Sequence, residues 1–145
     1  MRKRRKSREI VLQGLYSKEI SGNSYNEIID SWQMDDDEVL GFARNLLKMV
    51  LDHQEEIDEA VIASVKNWKF DRIALIDRLI LRLAVCEFLW FEDIPPKVTI
   101  NEAIDLAKKF STEESGRFVN GILDSLYHKF QKESKILKQG RGLVQ

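Results

Sequence analysis

Six cations fall within positions 2–8: Arg2, Lys3, Arg4, Arg5, Lys6 and Arg8, with no acid among them. Guanidinium and ammonium groups at this density neutralise phosphates, and release of the phosphates' counterions makes such binding steeply salt-dependent. The same run also suits a solvated tail that only aids solubility, and composition alone does not separate the two readings. The rest of the chain narrows the choice of ligand. Net charge is −1, yet residues 9–116 carry 11 basic side chains against 22 acidic, and residues 117–145 carry six against two. So acidic a body opposes nonspecific coating of long duplexes and favours a local, short, single-stranded ligand.

Other suggestive spacings have simpler explanations. Asp35, Asp36, Asp37 and Glu38 lack the alternating ligands and glycine turn of a calcium loop, and suit the positive end of a following helix dipole. His53 and Glu56 have the i, i+3 spacing of bundle metal sites, but a second copy is missing, so a surface pair is expected. One cysteine and two histidines leave no zinc set, and Cys86 inside an apolar run reads as a small buried hydrophobe. No glycine-rich phosphate loop, HExxH, nucleophile elbow or convincing triad is present, which points to a non-enzyme with no cofactor or metal. Phe118 has two readings. Core packing is its default, but beside Arg117 near an exposed helix start it could stack on a base.

The elements that must position these residues are all helical. Asp71–Phe91 carries Ile73, Ile76, Leu79, Ile80, Leu83, Ala84, Val85, Phe88 and Leu89 at helical spacing, too apolar a helix to be anything but buried. Its polar residues Asp71, Arg72, Asp77, Arg78 and Arg82 form a narrow wet strip where a partner could dock. Upstream, Ser7 is expected to cap a first helix that Ser21-Gly22-Asn23 ends, Ser24 and Glu27 form a capping box, and Val39, Phe42, Ala43, Leu46, Met49 and Val50 mark a third helix. Around His53 the stripe shifts to Ile57, Val61, Val65 and Trp68, by a kink or a break; Lys69-Phe70 then leads into the central helix. Downstream, Pro95-Pro96 stops that helix, and boxes at Thr99/Glu102 and Ser111/Glu114 open two more. Asn120-Gly121 interrupts the last stripe and, with Gly116, suggests close approach of another backbone or a ligand. The expected architecture is one domain over 1–134, with helical groups at about 7–68 and 71–134, and a loose basic tail over 135–145. No stretch is apolar enough to span a membrane or serve as a secretory signal, so a cytoplasmic location is expected.

Two blocks carry a family resemblance. ILRLAVCEFLWFEDIPPKVTINEAIDLAKKFSTEESGRFVNGILDSL (80–126), above all INEAIDLAKKF and GRFVNGILD, and the basic run leading into REIVLQGLYS (8–17) resemble the NusB family of bacterial transcription antitermination factors. The resemblance implies an all-α fold of seven helices in two subdomains. It implies binding to the boxA RNA of ribosomal RNA leader transcripts together with NusE, a small-subunit ribosomal protein, within an antitermination complex on RNA polymerase. Carried over by position, it assigns the RNA to Arg4, Arg5, Lys6, Arg8, Tyr16, Glu114 and Phe118, and NusE to Asp71, Arg72 and Asp77. Lys6 stands where arginine is common, which keeps the charge but loses bidentate phosphate geometry. Cys86 replaces a frequent tyrosine, and residues 92–96 hold two prolines where one is usual. A related domain begins a ribosomal RNA cytosine methyltransferase, a reading that would require a fragment. The competing class is a structural helical module, a homodimer in which the basic run is inert.

Overall fold

The computed structural model describes residues 2–65 and 72–143. Seven α-helices account for about three quarters of them: α1 (Arg2–Ser21), α2 (Tyr25–Asp30), α3 (Asp37–Asp52), α4 (Gln54–Ser64), α5 (Leu75–Trp90), α6 (Pro96–Phe110) and α7 (Glu113–Lys132). No strand occurs among the described residues. Helix α5 is the hub. Leu79 to Phe88 are buried without interruption, and α1, α3, α4, α6 and α7 all pack on it around a single apolar core. Cys86 lies in that core with no exposure, where burial pushes its thiol well above the usual range.

Local signals explain most boundaries. Gly22 ends α1 with φ 72°, a left-handed conformation that glycine adopts without a Cβ penalty. The Ser24/Glu27 box forms in both directions, and its bond from the Ser24 backbone holds the Glu27 carboxyl below its ordinary pKa. Asp36 caps α3 by accepting from the Glu38 and Val39 amides. The chain breaks at His53, which serves both as the C-cap of α3 and the N-cap of α4. His53 is more than a surface residue: its ring stacks on Trp90 at 3.9 Å between centroids.

Several expectations fail for identifiable reasons. Ser7 does not cap α1, which begins at Arg2; the Ser7 hydroxyl is buried and donates to Lys3 O and Val39 O, tying α1 to α3. The basic run is therefore the first two turns of a helix rather than an arm before one. Thr99 and Glu102 form no capping box, because α6 starts three residues earlier with Pro96, whose missing amide hydrogen costs nothing at a first turn. Helix α7 is capped by Thr112, which accepts from the Ser115 amide, rather than by Ser111. The expected wet strip is only partly so: Asp77 and Arg82 are 6% and 5% exposed, while Arg72 is exposed and Arg78 half-buried. Asp71, Trp68 and the Lys69-Phe70 connection lie outside the described residues.

The tail expected to be loose is anchored along residues 136–143. Ile136 packs on the core, the Lys138 ammonium donates to Glu87 O and Phe91 O at the end of α5, and Gln139 donates to Glu92 O. Gly142 sits so close to Glu92 O that no Cβ fits there. Burial lowers the Lys138 pKa to about 8.

Candidate nucleic-acid interface

Helical phase sorts the six cations. Positions 2 and 6 fall on one face of α1, where Arg2 and Lys6 are exposed and form no ion pair among the described residues. Lys3 reaches Asp36 at 3.2 Å and Glu38 at 3.5 Å; its hydrogen bond to Asp36 raises its pKa. Arg4 reaches Asp93 at 2.9 Å, with its guanidinium over the Phe42 ring. Arg5 bonds Glu102 through Nε (3.1 Å) and Nη2 (2.7 Å), and Asp105 through Nη2 (2.8 Å). These bonds, Glu102's first, hold its proton more firmly than usual.

Arg8 behaves differently. It is 3% exposed and donates two bonds to Glu87, at 2.6 and 3.0 Å, and one to Glu102 at 3.4 Å. Glu87 also accepts from the Thr99 hydroxyl at 2.7 Å. A guanidinium with its charge already met by two carboxylates under the helix has nothing left to offer a phosphate from solvent. In this structure Arg8 seats α1 on α5 and α6 rather than standing on the exposed face with Arg2 and Lys6.

The basic face continues past α1. A cleft of about 390 Å³ between α1 and α6 is lined by Arg5, Glu9, Asp105, Lys108 and Lys109, with Lys109 paired to Glu9 at 2.8 Å. Lys108 then leads to the start of α7. A Cβ at Gly116 would sit 3.0 Å from Lys108 Cγ, so what comes close there is the lysine and Ile104 side chains of α6 rather than the backbone or ligand expected. Gly121 meets nothing within 4 Å and is exposed, so the close approach expected at that position is absent. Lys108 and Lys109 were invisible as site residues because nothing in their sequence spacing connects them to residues 2–6. They stand next to those cations only because α6 packs on α5 and reaches α1 through the Arg5–Glu102, Arg5–Asp105 and Lys109–Glu9 pairs.

At the start of α7 a second cleft, of about 290 Å³, brings together Arg72, Asp77, Glu114, Ser115 and Phe118. Residues expected to face a protein and residues expected to face RNA thus share one hollow. Arg72 and Glu114 are exposed on its rim and Phe118 is half-buried in its wall. Asp77 lies at the bottom: Oδ2 accepts from the Ser115 hydroxyl at 3.0 Å, while Oδ1 has no hydrogen-bond partner among the described residues. Burial raises its pKa above the ordinary carboxylate range. Tyr16 is 39% exposed on the outer face of α1, and one turn on, Ile20 is 63% exposed. Between them Glu19 accepts from Arg82 at 2.9 Å, and Arg82 also grips Asp58 at 2.8 and 3.0 Å. Burial works against the Arg82 charge, but the bonds to Asp58 and Glu19 outweigh it and raise its pKa. Among the described residues, no cluster of three histidine, cysteine, aspartate or glutamate side chains could hold a metal ion.

The NusB family model matches residues 5–128. The chain belongs to the NusB family. It is 44% identical over 125 residues to the transcription antitermination protein NusB of Bacillus mycoides, covering 86% of this chain and 96% of that one. Against the NusB of Methylacidiphilum infernorum the identity is 45%, over 85% and 89% of the two chains. Among solved structures, T. maritima NusB superposes with a TM-score of 0.83 at 32% identity, over 91% of this chain and 95% of that one. The antitermination factors NusB and NusE in complex with double-stranded RNA give 0.80 at 27% identity, over 89% and 98%. The NusB fold accounts for the all-α, seven-helix architecture and for burial of α5.

Proposed function

We propose that this chain is a transcription antitermination factor that binds boxA RNA of ribosomal RNA leader transcripts jointly with NusE, as an adaptor on RNA polymerase in the cytoplasm. The observation that carries the reading is the cluster of rim cations on the first turns of α1, Arg2, Lys3, Arg4, Arg5 and Lys6, with Lys108 and Lys109 of α6 sharing a cleft with Arg5. The cluster holds phosphates, and the Phe118 cleft offers a base an aromatic wall between Glu114 and Arg72. Tyr16 extends the contact along the outer face of α1. The known complex of a family relative with NusE and RNA supports the same pairing of ligands.

The part assigned to NusE divides in two. Arg72 is exposed and able to meet a protein, while Asp77 serves from beneath by shaping the cleft. Asp71 stays in the proposed contact as its chain neighbour. A short RNA on one small patch gains modest affinity, and a second protein touching both raises it through effective concentration. An adaptor of this kind performs no chemical step.

Binding of a boxA-like RNA, measured with and without NusE over a salt series, tests the reading. Expected are an affinity that falls steeply with salt and rises when NusE is added. Absence of binding, or binding indifferent to both, overturns it.

A further inference from the structure

Four of the six N-terminal cations are already bonded to carboxylates of the same chain. Two of those carboxylates face arginines from the solvent side. Asp93 and Asp105 are about half exposed, as are the Arg4 and Arg5 side chains they hold, at 2.9 and 2.8 Å. Glu102, by contrast, is buried and gripped from below by Arg8, so it is a fixed part of the scaffold. A carboxylate oxygen facing a guanidinium at these distances occupies the place of a phosphate oxygen. We propose that Asp93 and Asp105 are intramolecular stand-ins for phosphate, guarding the basic face so that a bare polyanion gains little from it. The inference rests on the reading that Arg4 and Arg5 meet RNA phosphates.

The placement of Asp93 is built rather than incidental. Its loop is pinned on both sides: Ile94 N donates to Phe91 O, Gln139 N donates to Glu92 O, and Lys138 caps Phe91 O. The Arg4 guanidinium is set by Phe42, whose ring packs edge-on against Phe91 at 5.6 Å. The same turn of chain therefore fixes both members of the pair. Pairs at this exposure are weak and screened by salt, so a ligand with further contacts displaces them. Each displaced carboxylate then takes up a counterion of its own, which cancels part of the release from RNA. The salt dependence of wild type is accordingly shallower than its count of cations implies.

The test compares Asp93→Asn with Asp105→Asn in one chain against Glu56→Gln with Glu59→Gln, exposed acids on α4 whose loss changes net charge equally. Each is titrated with a short oligouridine and with a boxA-like RNA of equal length. The guard variant is expected to bind oligouridine about three- to tenfold more tightly than wild type at low salt. Its log–log salt slope should be steeper than that of wild type, because no displaced carboxylate takes up a counterion. The control pair should gain less than twofold. A guard variant that gains no more than the control overturns the proposal. If instead the boxA-like RNA binds no better than oligouridine in every protein, the functional reading fails while the guard comparison on oligouridine still stands or falls on its own result. Should the double variant lose thermal stability, each single variant is read in the same way.

Discussion

Arg5 and Arg8 stand one turn apart on α1 and have the same side chain, but they belong to different regions of the molecule. Arg8 lies beneath the helix among Glu87, Glu102 and Thr99, with almost no exposure. Arg5 lies on the rim, half exposed, sharing Glu102 from the outer side. Burial separates scaffold from ligand handle here, and residue type does not. A buried, fully bonded guanidinium is costly to uncover, whereas a rim guanidinium exchanges one carboxylate for another at little cost.

The largest expected effect sharpens that contrast. Arg8→Ala leaves the Glu87 charge buried and unpaired and should cost about 3–5 kcal/mol in denaturant unfolding, against a smaller loss of about 1.5–3 kcal/mol for Arg5→Ala, because Glu102 keeps its bond from Arg8. Equal losses would show that the two arginines do not differ as their burial implies. Next is Phe118→Ala, which should weaken RNA binding by about 1–3 kcal/mol if a base stacks in the cleft, with helical content retained by circular dichroism. Unchanged affinity would confine the RNA to the α1 rim. Charge reversal at Arg2 and Lys6 together should lower affinity at low salt and flatten the salt slope by about 1.4, leaving the unfolding midpoint unchanged. A shift in that midpoint would place these two residues in the scaffold instead.

The smallest effect concerns Asp77, the buried group whose bonding is least complete. Its carboxyl titrates above the ordinary range because of burial, so above the unfolded-chain value of about 3.9 the unfolded state ionises more readily and folding is opposed. Asp77→Asn should therefore melt slightly higher than wild type at pH 7. The gain should vanish as pH falls through the raised folded value toward about 3.9, where wild type is neutral as well. A variant less stable at pH 7 would mean that the Asp77 charge is met by a favourable interaction.

How far the sequence carried depended on whether a pattern fixes atoms or only spacing. The Ser24/Glu27 box, the Asp36 cap and Gly22 were legible because each acts on backbone groups within a few residues. Thr99 and Glu102 match the same spacing, but i and i+3 are also neighbours inside a helix, and there both side chains turn inward to Glu87 and Arg8. Reading Ser7 as a cap moved the start of α1 by five residues and hid which cations share a face. The family resemblance brought Phe118 and Glu114 together with Asp77 and Arg72 as site residues, but not the single cleft that joins them. That cleft exists only through the packing of α7 on α5, and so does the adjacency of Lys108 and Lys109 to the first turn through α6. Such long-range neighbours leave no local trace.

Helix α5 also constrains the birth of the molecule. On the ribosome, α1 to α4 emerge first, carrying Val11, Leu15, Leu46, Val50, Ile57 and Val61 toward a core whose centre has not yet been synthesised. Translation at roughly 5–20 residues per second leaves those faces uncovered for seconds until residues 75–90 arrive, and the Arg82 clasp on Glu19 and Asp58 cannot close before then. A slow codon run placed before position 75 should therefore lower the soluble yield of the protein, whereas one placed after position 132 should not.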